Sequence, residues 1–372
     1  MLKQFSVKNF KGFKEKITFD LASPNNYTFH PSVISEGCIT KGIIFGINGS
    51  GKSNFGLALL DIIFHLTDKE KIYSNYQLYR NLENRASAVE FEYIFQFHGM
   101  ELGYRYMKED VNTLLYEELR IDKEKVVEYD HRKKKGFTKL KGSETLNRSM
   151  VSDNIISRVK YVASNSILEQ DEKNRAFVSF MRFVDNMLLF YSLDTRGYEG
   201  LQVGAQTLSE GILESGKLYD FEEFLRENDI DYKLKEVSVD GENAIHCVFG
   251  KESVDFFKIA STGTRSLALF YYWYIRMHKA SFVFIDEFDA FYHFKLAQNL
   301  VKKIREIPDV QIFLSSHNTD LISNELLRPD CYFMIENNTI QPLSDKTHKE
   351  LRKAHNLQKM FKAGAFDEEK SL

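Results

Sequence analysis

Residues 43–53 read Ile43-Ile44-Phe45-Gly46-Ile47-Asn48-Gly49-Ser50-Gly51-Lys52-Ser53, and an apolar stretch from Phe55 to Phe64 follows directly. This order predicts a strand, a glycine-rich loop and a helix. Glycines let backbone N–H groups turn inward around an anion, and the start of a helix adds a positive dipole end. Lys52 supplies a point charge for the β- and γ-phosphates, and the Ser53 hydroxyl is placed to bind Mg²⁺.

The alternative is a Gly/Ser-rich turn between unrelated elements, which the flanking strand and helix disfavour. The segment therefore predicts a site for a nucleoside triphosphate with Mg²⁺. The candidate binding residues are Gly46, Asn48, Gly49, Ser50, Gly51, Lys52, Ser53 and Asn54.

The composition is that of a large globular chain with little charge bias. Its 372 residues include 50 Lys and Arg against 53 Asp and Glu, so overall charge gives no argument for nucleic-acid binding. Cys38, Cys247 and Cys331 are far apart, which predicts neither a zinc site nor a disulfide framework. The N-terminus lacks a signal-peptide pattern and no apolar run is long enough to span a membrane, so we expect a soluble, cytoplasmic protein without a membrane partner.

Hydrophobic periodicity divides the chain into four predicted parts. Residues 2–7 and 17–21 predict strands, and alternating apolar residues within 88–141 predict an inserted antiparallel sheet. The apolar residues from Phe177 to Leu188 predict one amphipathic helix, and 232–239 with 244–249 predict a hairpin around Asp240-Gly241. The parts are 1–87, the N-terminal half of the core; 88–141, the β insertion; 142–229, the helical part; and 230–372, the C-terminal half of the core.

A basic tetrapeptide, Arg132-Lys133-Lys134-Lys135, lies near the tip of the predicted β insertion. A solvated hairpin turn is the simpler interpretation. The alternative is a contact for a nucleic-acid backbone or an acidic partner, so nucleic acid stays a candidate partner.

A second candidate anion site begins at Ser261. Ser261, Gly263 and Thr264 lie just before an apolar helix predicted over 267–277. A hydroxyl, free amides and a helix dipole can bind an anion together, and the same residues can simply cap the helix.

A pair of acids ends the predicted buried strand that starts at Phe282. Asp286 and Glu287 would lie at the carboxyl end of this strand, where ligands bind in open α/β sheets. Asp286 is the candidate Mg²⁺ ligand together with Ser53, and Glu287 is the candidate group that polarises the attacking water. The alternative is that the two acids cap a helix.

The next predicted strand, Val310 to Ser316, ends at His317. An imidazole at this place can hydrogen-bond the γ-phosphate. Taken alone such a histidine is usually structural, and the preceding Asp-Glu strand favours function. The catalytic candidates are therefore Lys52, Glu287 and His317.

In this order, the phosphate loop, Ser261-Thr262-Gly263-Thr264, Asp286-Glu287 and His317 resemble the motifs of ABC-type ATPase heads. The similarity is greatest to the non-transporter branch, which includes chromosome-structure and double-strand-break-repair ATPases, RecF, and the OLD and abortive-infection ATPases of bacteria. The opening Asn9-Phe10-Lys11-Gly12-Phe13 also matches that branch. The resemblance implies an α/β P-loop NTPase fold: an ABC-ATPase-like head with an inserted antiparallel β subdomain and a helical lid.

The resemblance also implies ATP as the nucleotide and a homodimer as the working unit. In that family two heads clasp two ATP molecules, so Ser261 and Gly263 would contact the γ-phosphate of the partner's site, and Asp289 would lie in the loop that joins the sites. Two residues depart from the transporter pattern, Ala260 where Leu is preferred and Arg265 where Gln is preferred. Gln170 is the candidate for the Q-loop glutamine.

Three functions follow from the resemblance. The first is a dimerising ATPase that acts as the sensor or regulatory component of a bacterial anti-phage (abortive infection) system. No long heptad arm is visible, and the segment after His317 is too short for the TOPRIM nuclease domain of OLD proteins, so we expect a separately encoded effector. The others are a RecF-like DNA-repair or recombination ATPase and an ATP-binding scaffold with little turnover.

Overall fold

The computed structural model describes residues 1–146, 156–191, 198–201, 207–239 and 242–367. Numbered along the chain, the strands are β1 (Leu2–Lys8), β2 (Ile17–Asp20), β3 (Ile34–Ser35), β4 (Cys38–Ile39), β5 (Lys41–Phe45), β6 (Val89–Phe97), β7 (Met100–Lys108), β8 (Leu114–Ile121), β9 (Glu124–Asp130), β10 (Lys135–Thr138), β11 (Met187–Tyr191), β12 (Tyr198–Gly200), β13 (Leu234–Val239), β14 (Glu242–Phe249), β15 (Glu252–Asp255), β16 (Phe282–Asp286), β17 (Gln311–Ser316), β18 (Tyr332–Glu336) and β19 (Thr339–Pro342). The helices are α1 (Lys52–Leu60), α2 (Ile62–Leu66), α3 (Arg158–Asn165), α4 (Glu172–Asp185), α5 (Leu208–Glu214), α6 (Leu218–Glu227), α7 (Phe256–Ile259), α8 (Thr262–Tyr274), α9 (Phe294–Arg305) and α10 (Leu357–Lys362).

Alternating apolar and polar residues form an antiparallel sheet in the order β10-β9-β8-β7-β6-β1-β2. Along β6 the side chains of Val89, Phe91, Tyr93 and Phe95 are buried, and the residues between them are partly exposed. This alternation is typical of a sheet with one face on the core. The antiparallel strands predicted within 88–141 are present, and they extend a sheet that begins with β1 and β2.

The second sheet has the order β12-β11-β16-β17-β5-β18-β19. Its five inner strands run parallel to one another, and every residue of β5 and β17 is buried. Near-continuous apolar strands are expected in a sheet that is covered on both faces. The carboxyl ends of β16, β17 and β5 therefore meet at one edge of this sheet.

Helix α1 lies between the two sheets and is fixed by aromatic contacts on both sides. The Phe55 ring centroid is 5.8 Å from that of Phe5, 5.2 Å from that of Phe19 and 6.3 Å from that of Phe284. A Cβ added at Gly56 would lie 2.6 Å from the Phe284 ring, so α1 approaches β16 closely. This packing holds the N-terminus of α1 at the carboxyl end of β5.

Helices α5, α6 and α8 and the three-stranded sheet β13-β14-β15 form a further layer. The Tyr271 ring of α8 is 4.9 Å, between centroids, from both Phe221 and Phe224 of α6. The start of α8, which holds Ser261 and Gly263, is thus supported by apolar contacts further along the same helix.

The predicted helix through Leu188 was wrong in its last turn. Helix α4 ends at Asp185, and Met187 and Leu188 belong to β11, which pairs in parallel with β16. The helix predicted over 267–277 begins earlier, at Thr262, and ends at Tyr274.

The two strands of the hairpin predicted within 232–249 are present, and Asp240 and Gly241 lie outside the described residues. The division of the chain into four parts stays a prediction. Within the described residues, no helix has both the length and the hydropathy needed to cross a bilayer.

Candidate nucleotide site

The glycine-rich loop connects β5 to α1 in a tight curl. Gly51, at the N-cap of α1, has a φ of 102°, which other residues rarely adopt. A Cβ added at Gly46 would lie 2.3 Å from Ser50 Oγ and 2.7 Å from Ile335 Cγ2, so only glycine fits there. Lys52 Nζ donates to the carbonyl oxygens of Gly46 at 2.8 Å and Ile47 at 3.3 Å. The lysine ammonium is thereby held against the loop itself.

The candidate acids lie directly after β16. Asp286 is the last residue of that strand, and Glu287 follows with a φ of 42°, in the left-handed region. His317 comes directly after β17 and is exposed. Because β17 pairs with β16 on one side and with β5 on the other, its carboxyl end lies between the acids and the phosphate loop.

A cleft of about 360 Å³ brings most of these groups together. Its lining residues are Asn48, Gly49, Gly51, Lys52, Ser53, Asn54, Glu287 and His317. Burial lowers the pKa of Lys52 from its usual value, and the nearby carboxylates of Glu287, Asp286 and Asp289 oppose that shift. Three distant segments of the chain therefore converge on one charged cleft.

The second candidate anion site lies elsewhere. Ser261 is the N-cap of α8, its Oγ accepts from the Thr264 backbone N at 3.2 Å, and its side chain is exposed. A Cβ at Gly263 would lie 3.1 Å from the carbonyl oxygen of Phe291. Among the residues that the structure describes, the lining of the cleft does not include Ser261, Gly263 or Thr264. Within one chain, the exposed Ser261 side chain therefore lies outside this cleft.

Asp289 and Gln170, implied by the resemblance, occupy contrasting places. Asp289 is buried, and burial raises the pKa of its carboxyl although Ser316, His317 and Asn318 oppose the shift. Gln170 is exposed, in the connection between α3 and α4. It is not among the described residues that line the cleft, so its assignment as the Q-loop glutamine stays untested.

Sequence reasoning missed two features of this site. Ser315 Oγ donates to Asp286 Oδ1 at 2.5 Å, and only its place in a hydroxyl pair inside an apolar strand could have indicated it. Phe13, from the turn after β1, packs against the loop, because a Cβ added at Gly51 would lie 3.0 Å from its ring. Residues 9–13 were matched to a family motif, but that match did not predict the contact between Phe13 and the loop.

Comparisons with known proteins found similar solved structures and one matching family model. The solved structures that resemble it include the SMC head domain from Thermotoga maritima, with 13% identity, coverage of 92% of this chain and 98% of that chain, and a TM-score of 0.42. An SMC head bound to the C-winged helix domain of ScpA has 13% identity, covers 92% of this chain and 97% of that chain, and has a TM-score of 0.48. An SMC head with an extended coiled coil bound to the C-terminal domain of ScpA, from Pyrococcus furiosus, has 11% identity, 92% and 97% coverage and a TM-score of 0.44.

No curated protein matches the chain in sequence. The model of one protein family, AAA_21, matches residues 43–323, from the middle of β5 to just beyond His317. This match confirms the resemblance to ABC-like P-loop ATPases of the abortive-infection type that the motifs indicated. The chain belongs to the family described as "AAA domain, putative AbiEii toxin, Type IV TA system".

Proposed function

We propose that this chain is a Mg²⁺-dependent ATPase whose active form is a homodimer, and that it is the sensor or regulatory component of a bacterial anti-phage system. One observation carries the ATPase proposal. Lys52 and Ser53 of the phosphate loop share a cleft with Glu287 and His317, which come from the ends of two neighbouring strands. A loop that binds phosphates and a carboxylate that can orient water are the two components that hydrolysis requires.

The roles in this proposal follow from the chemistry of each group. Backbone amides of the loop and the Lys52 ammonium bind the phosphates, and Glu287 orients the attacking water. The His317 imidazole donates to the γ-phosphate. All three side chains belong to residues that line the same cleft.

The residues present also match Mg²⁺. Ser53 lines the cleft, and the Asp286 carboxylate is close enough to raise the pKa of Lys52 against the effect of burial. Among the described residues, no group of three or more His, Cys, Asp or Glu could hold a metal without the substrate. Mg²⁺ is typically held by one or two protein oxygens together with substrate phosphates, so Ser53 and Asp286 would suffice. When bound, Mg²⁺ would neutralise charge on the β- and γ-phosphates.

The homodimer is inferred from the position of the Ser261 site. Ser261 is exposed and Gly263 is partly exposed at the start of a 13-residue helix, and neither lines the cleft of its own chain. Amides at a helix start are suited to bind a phosphate. We propose that these residues complete the cleft of a second copy, and that the Asp289 loop lies between the two sites.

Hydrolysis is tested by phosphate release from the wild type and from Glu287→Gln. We expect the variant to lose about 10²–10⁴-fold in kcat, because general-base assistance is removed while the side-chain shape is kept. Glu325→Gln, which neutralises an exposed carboxylate outside the cleft, is the matched control and should remain fully active. A wild type that binds ATP without releasing phosphate would support the scaffold function instead.

The shared site is tested by mixing two inactive variants. Lys52→Ala disables the phosphate loop, and Ser261→Arg blocks the second anion site. In a mixed dimer one cleft combines the intact loop of one chain with the intact Ser261 of the other, so activity should return. If each chain used its own Ser261, the mixture would stay as inactive as its components.

The defence role rests on the family alone and needs a cellular test. We expect cells that carry the gene with its genomic neighbours to resist phage, and Lys52→Ala to abolish that protection. A separately encoded effector should co-purify with the wild type. Unchanged protection by Lys52→Ala would contradict the role of the ATPase site, and salt-sensitive, ATP-stimulated DNA binding in its place would favour a RecF-like function.

A further inference from the structure

Ser315 is a fully buried residue at the centre of the candidate site. It lies on β17, two residues before His317, and is paired with Ile44 of the phosphate-loop strand β5. On its other side β17 pairs with β16, which ends at Asp286. Ser315 therefore lies between the strand that leads to the phosphate loop and the strand that ends in the acids.

The Ser315 hydroxyl makes two hydrogen bonds of fixed direction. Its Oγ donates to Asp286 Oδ1 at 2.5 Å and accepts from the backbone N of Glu287 at 2.8 Å. A backbone N–H only donates, so the hydroxyl oxygen accepts from Glu287 N and its own proton is the one donated to Asp286. One side chain thus contacts the carboxylate of Asp286 and the backbone of Glu287.

The backbone of Ser315 adds a third contact. Its carbonyl oxygen accepts from the Phe288 backbone N at 3.2 Å. The two bonds to Glu287 N and Phe288 N therefore flank Glu287, whose φ of 42° is uncommon for a residue with a Cβ. Such a backbone persists only where its surroundings hold it, and Ser315 supplies part of that support.

We propose that Ser315 is a positioning residue that orients Asp286 and Glu287 together for ATP hydrolysis. The proposal rests on the ATPase function proposed above. Turnover depends on sub-ångström placement of the groups that act on the phosphate and the water, whereas ATP binding depends mainly on the loop. Loss of the hydroxyl should therefore lower kcat and the apparent affinity for Mg²⁺ more than the affinity for ATP.

The experiment measures kcat, KM for ATP and the Mg²⁺ concentration at half-maximal activity for wild type, Ser315→Ala and Ser315→Thr. We expect Ser315→Ala to lower kcat and to raise the required Mg²⁺ by about 10–100-fold each, with little change in KM. Ser315→Thr keeps the hydroxyl and should have a kcat and a Mg²⁺ requirement close to those of the wild type. If Ser315→Ala melts below the assay temperature, Ser315→Cys is measured by the same criteria.

Thr40→Val is the matched control. Thr40 is buried next to β5, and its hydroxyl has no hydrogen-bond partner within the described part of the chain. This variant removes a buried hydroxyl from the same region and should keep wild-type kcat and Mg²⁺ dependence. A Ser315→Ala protein with wild-type kcat and Mg²⁺ dependence, or a Thr40→Val protein with the same losses, would overturn the proposal.

A second readout separates this proposal from the proposed ATPase. Wild-type protein that releases no phosphate contradicts the ATPase, and binding of a fluorescent ATP analogue is then titrated with Mg²⁺. Ser315→Ala should still need about tenfold more Mg²⁺ than wild type, because Asp286 has lost its hydroxyl partner. An unchanged Mg²⁺ requirement in that titration would remove the positioning role as well.

Discussion

At the scale of the residue, Lys52 contributes a charge that is costly to bury and is kept near its site by the loop. Its Nζ is bound to two carbonyl oxygens of the loop, and three carboxylates lie close enough to affect its pKa. The ammonium is thus already directed into the loop that is to bind the phosphates. Such preorganisation reduces the free energy spent on ordering the side chain upon binding.

Lys52→Ala is expected to weaken ATP binding by about 10–100-fold, because a charge-assisted contact to phosphate is worth about 1.5–3 kcal/mol. The measurement is the rise in melting temperature with increasing ATP, which follows the ratio of ligand concentration to Kd. Lys133→Ala, in the exposed turn after β9, is the control and should titrate like the wild type.

Lys41 is a buried lysine that the sequence pattern gave no reason to expect. It is the first residue of β5, its Nζ donates to the Val310 carbonyl oxygen at 2.6 Å, and burial lowers its pKa to about 8 while Asp309 opposes the shift. In the unfolded chain the pKa returns to 10.5. Between these values the unfolded state binds more protons, so Lys41 makes the free energy of unfolding rise with pH.

Between pH 8 and 9.5, the free energy of unfolding of the wild type should rise relative to that of Lys41→Met, by up to about 1.4 kcal/mol per pH unit. Urea unfolding at several pH values measures it. Other buried groups have the opposite effect on stability; one is Cys247, whose pKa burial raises to about 11. Such groups are present in both proteins, so their contribution cancels when the two pH profiles are subtracted. Parallel pH profiles for the two proteins would contradict the assignment.

At the scale of the element, α1 and α2 are joined to the antiparallel sheet through a buried ion pair. Lys108 Nζ, at the end of β7, donates to Asp61 Oδ1 at 2.6 Å, and both side chains are almost fully buried. The hydroxyls of Tyr79 and Tyr106 also donate to Asp61, at 2.8 and 3.0 Å. Asp61 directly follows α1, so the network connects the end of the phosphate-loop helix to the sheet.

Lys108→Met should lower the free energy of unfolding by about 3–5 kcal/mol, because it leaves the Asp61 carboxylate buried without its cation. Lys16→Met removes an exposed partner of Glu92 and should cost less than about 1 kcal/mol. Chemical denaturation of the two variants provides the comparison. Equal losses would show that the buried pair has no special role.

Strands β5, β16 and β17 could be predicted because each is a short apolar run with a distinctive motif at its end. The motifs are the glycine-rich loop, the Asp286-Glu287 pair and His317. Strand β11 was missed for a physical reason: Met187 and Leu188 continue the apolar pattern of α4, and one turn of helix and a short strand look alike in such a run. The Ser315 bonds were missed because a hydroxyl hidden in a strand gives no periodic signal. These bonds depend on the pairing of β17 with β16, and the sequence pattern does not show which strands are neighbours.

At the scale of the whole molecule, neither the net charge nor the basic turn favours nucleic acid as a partner. The formal net charge is −3, and in the basic turn Asp130 pairs with Arg132 at 3.2 Å and with Lys133 at 3.5 Å. These pairs reduce the charge that the turn could offer to nucleic acid. Ser261 is exposed and lies outside the cleft of its own chain, which is why we propose a second copy of this chain as the partner.

Glu287→Gln with ATP and Mg²⁺ should accumulate as a dimer, because it binds the nucleotide without splitting it. Light scattering coupled to size-exclusion chromatography should give twice the mass of one chain with ATP and the mass of one chain with ADP. The double variant Glu287→Gln with Ser261→Arg should remain a single chain in both. A dimer that forms equally without nucleotide would contradict ATP-dependent assembly.

The left-handed backbone of Glu287 limits which substitutions this position can accept. Glycine and asparagine would relax the main chain, since both adopt positive φ at low cost, but neither carries a carboxylate. Aspartate tolerates the conformation and keeps the charge, but it falls one methylene short of the reach of glutamate. If Glu287 orients water as proposed, each of these substitutions would relax the backbone at the expense of either the carboxylate or its reach.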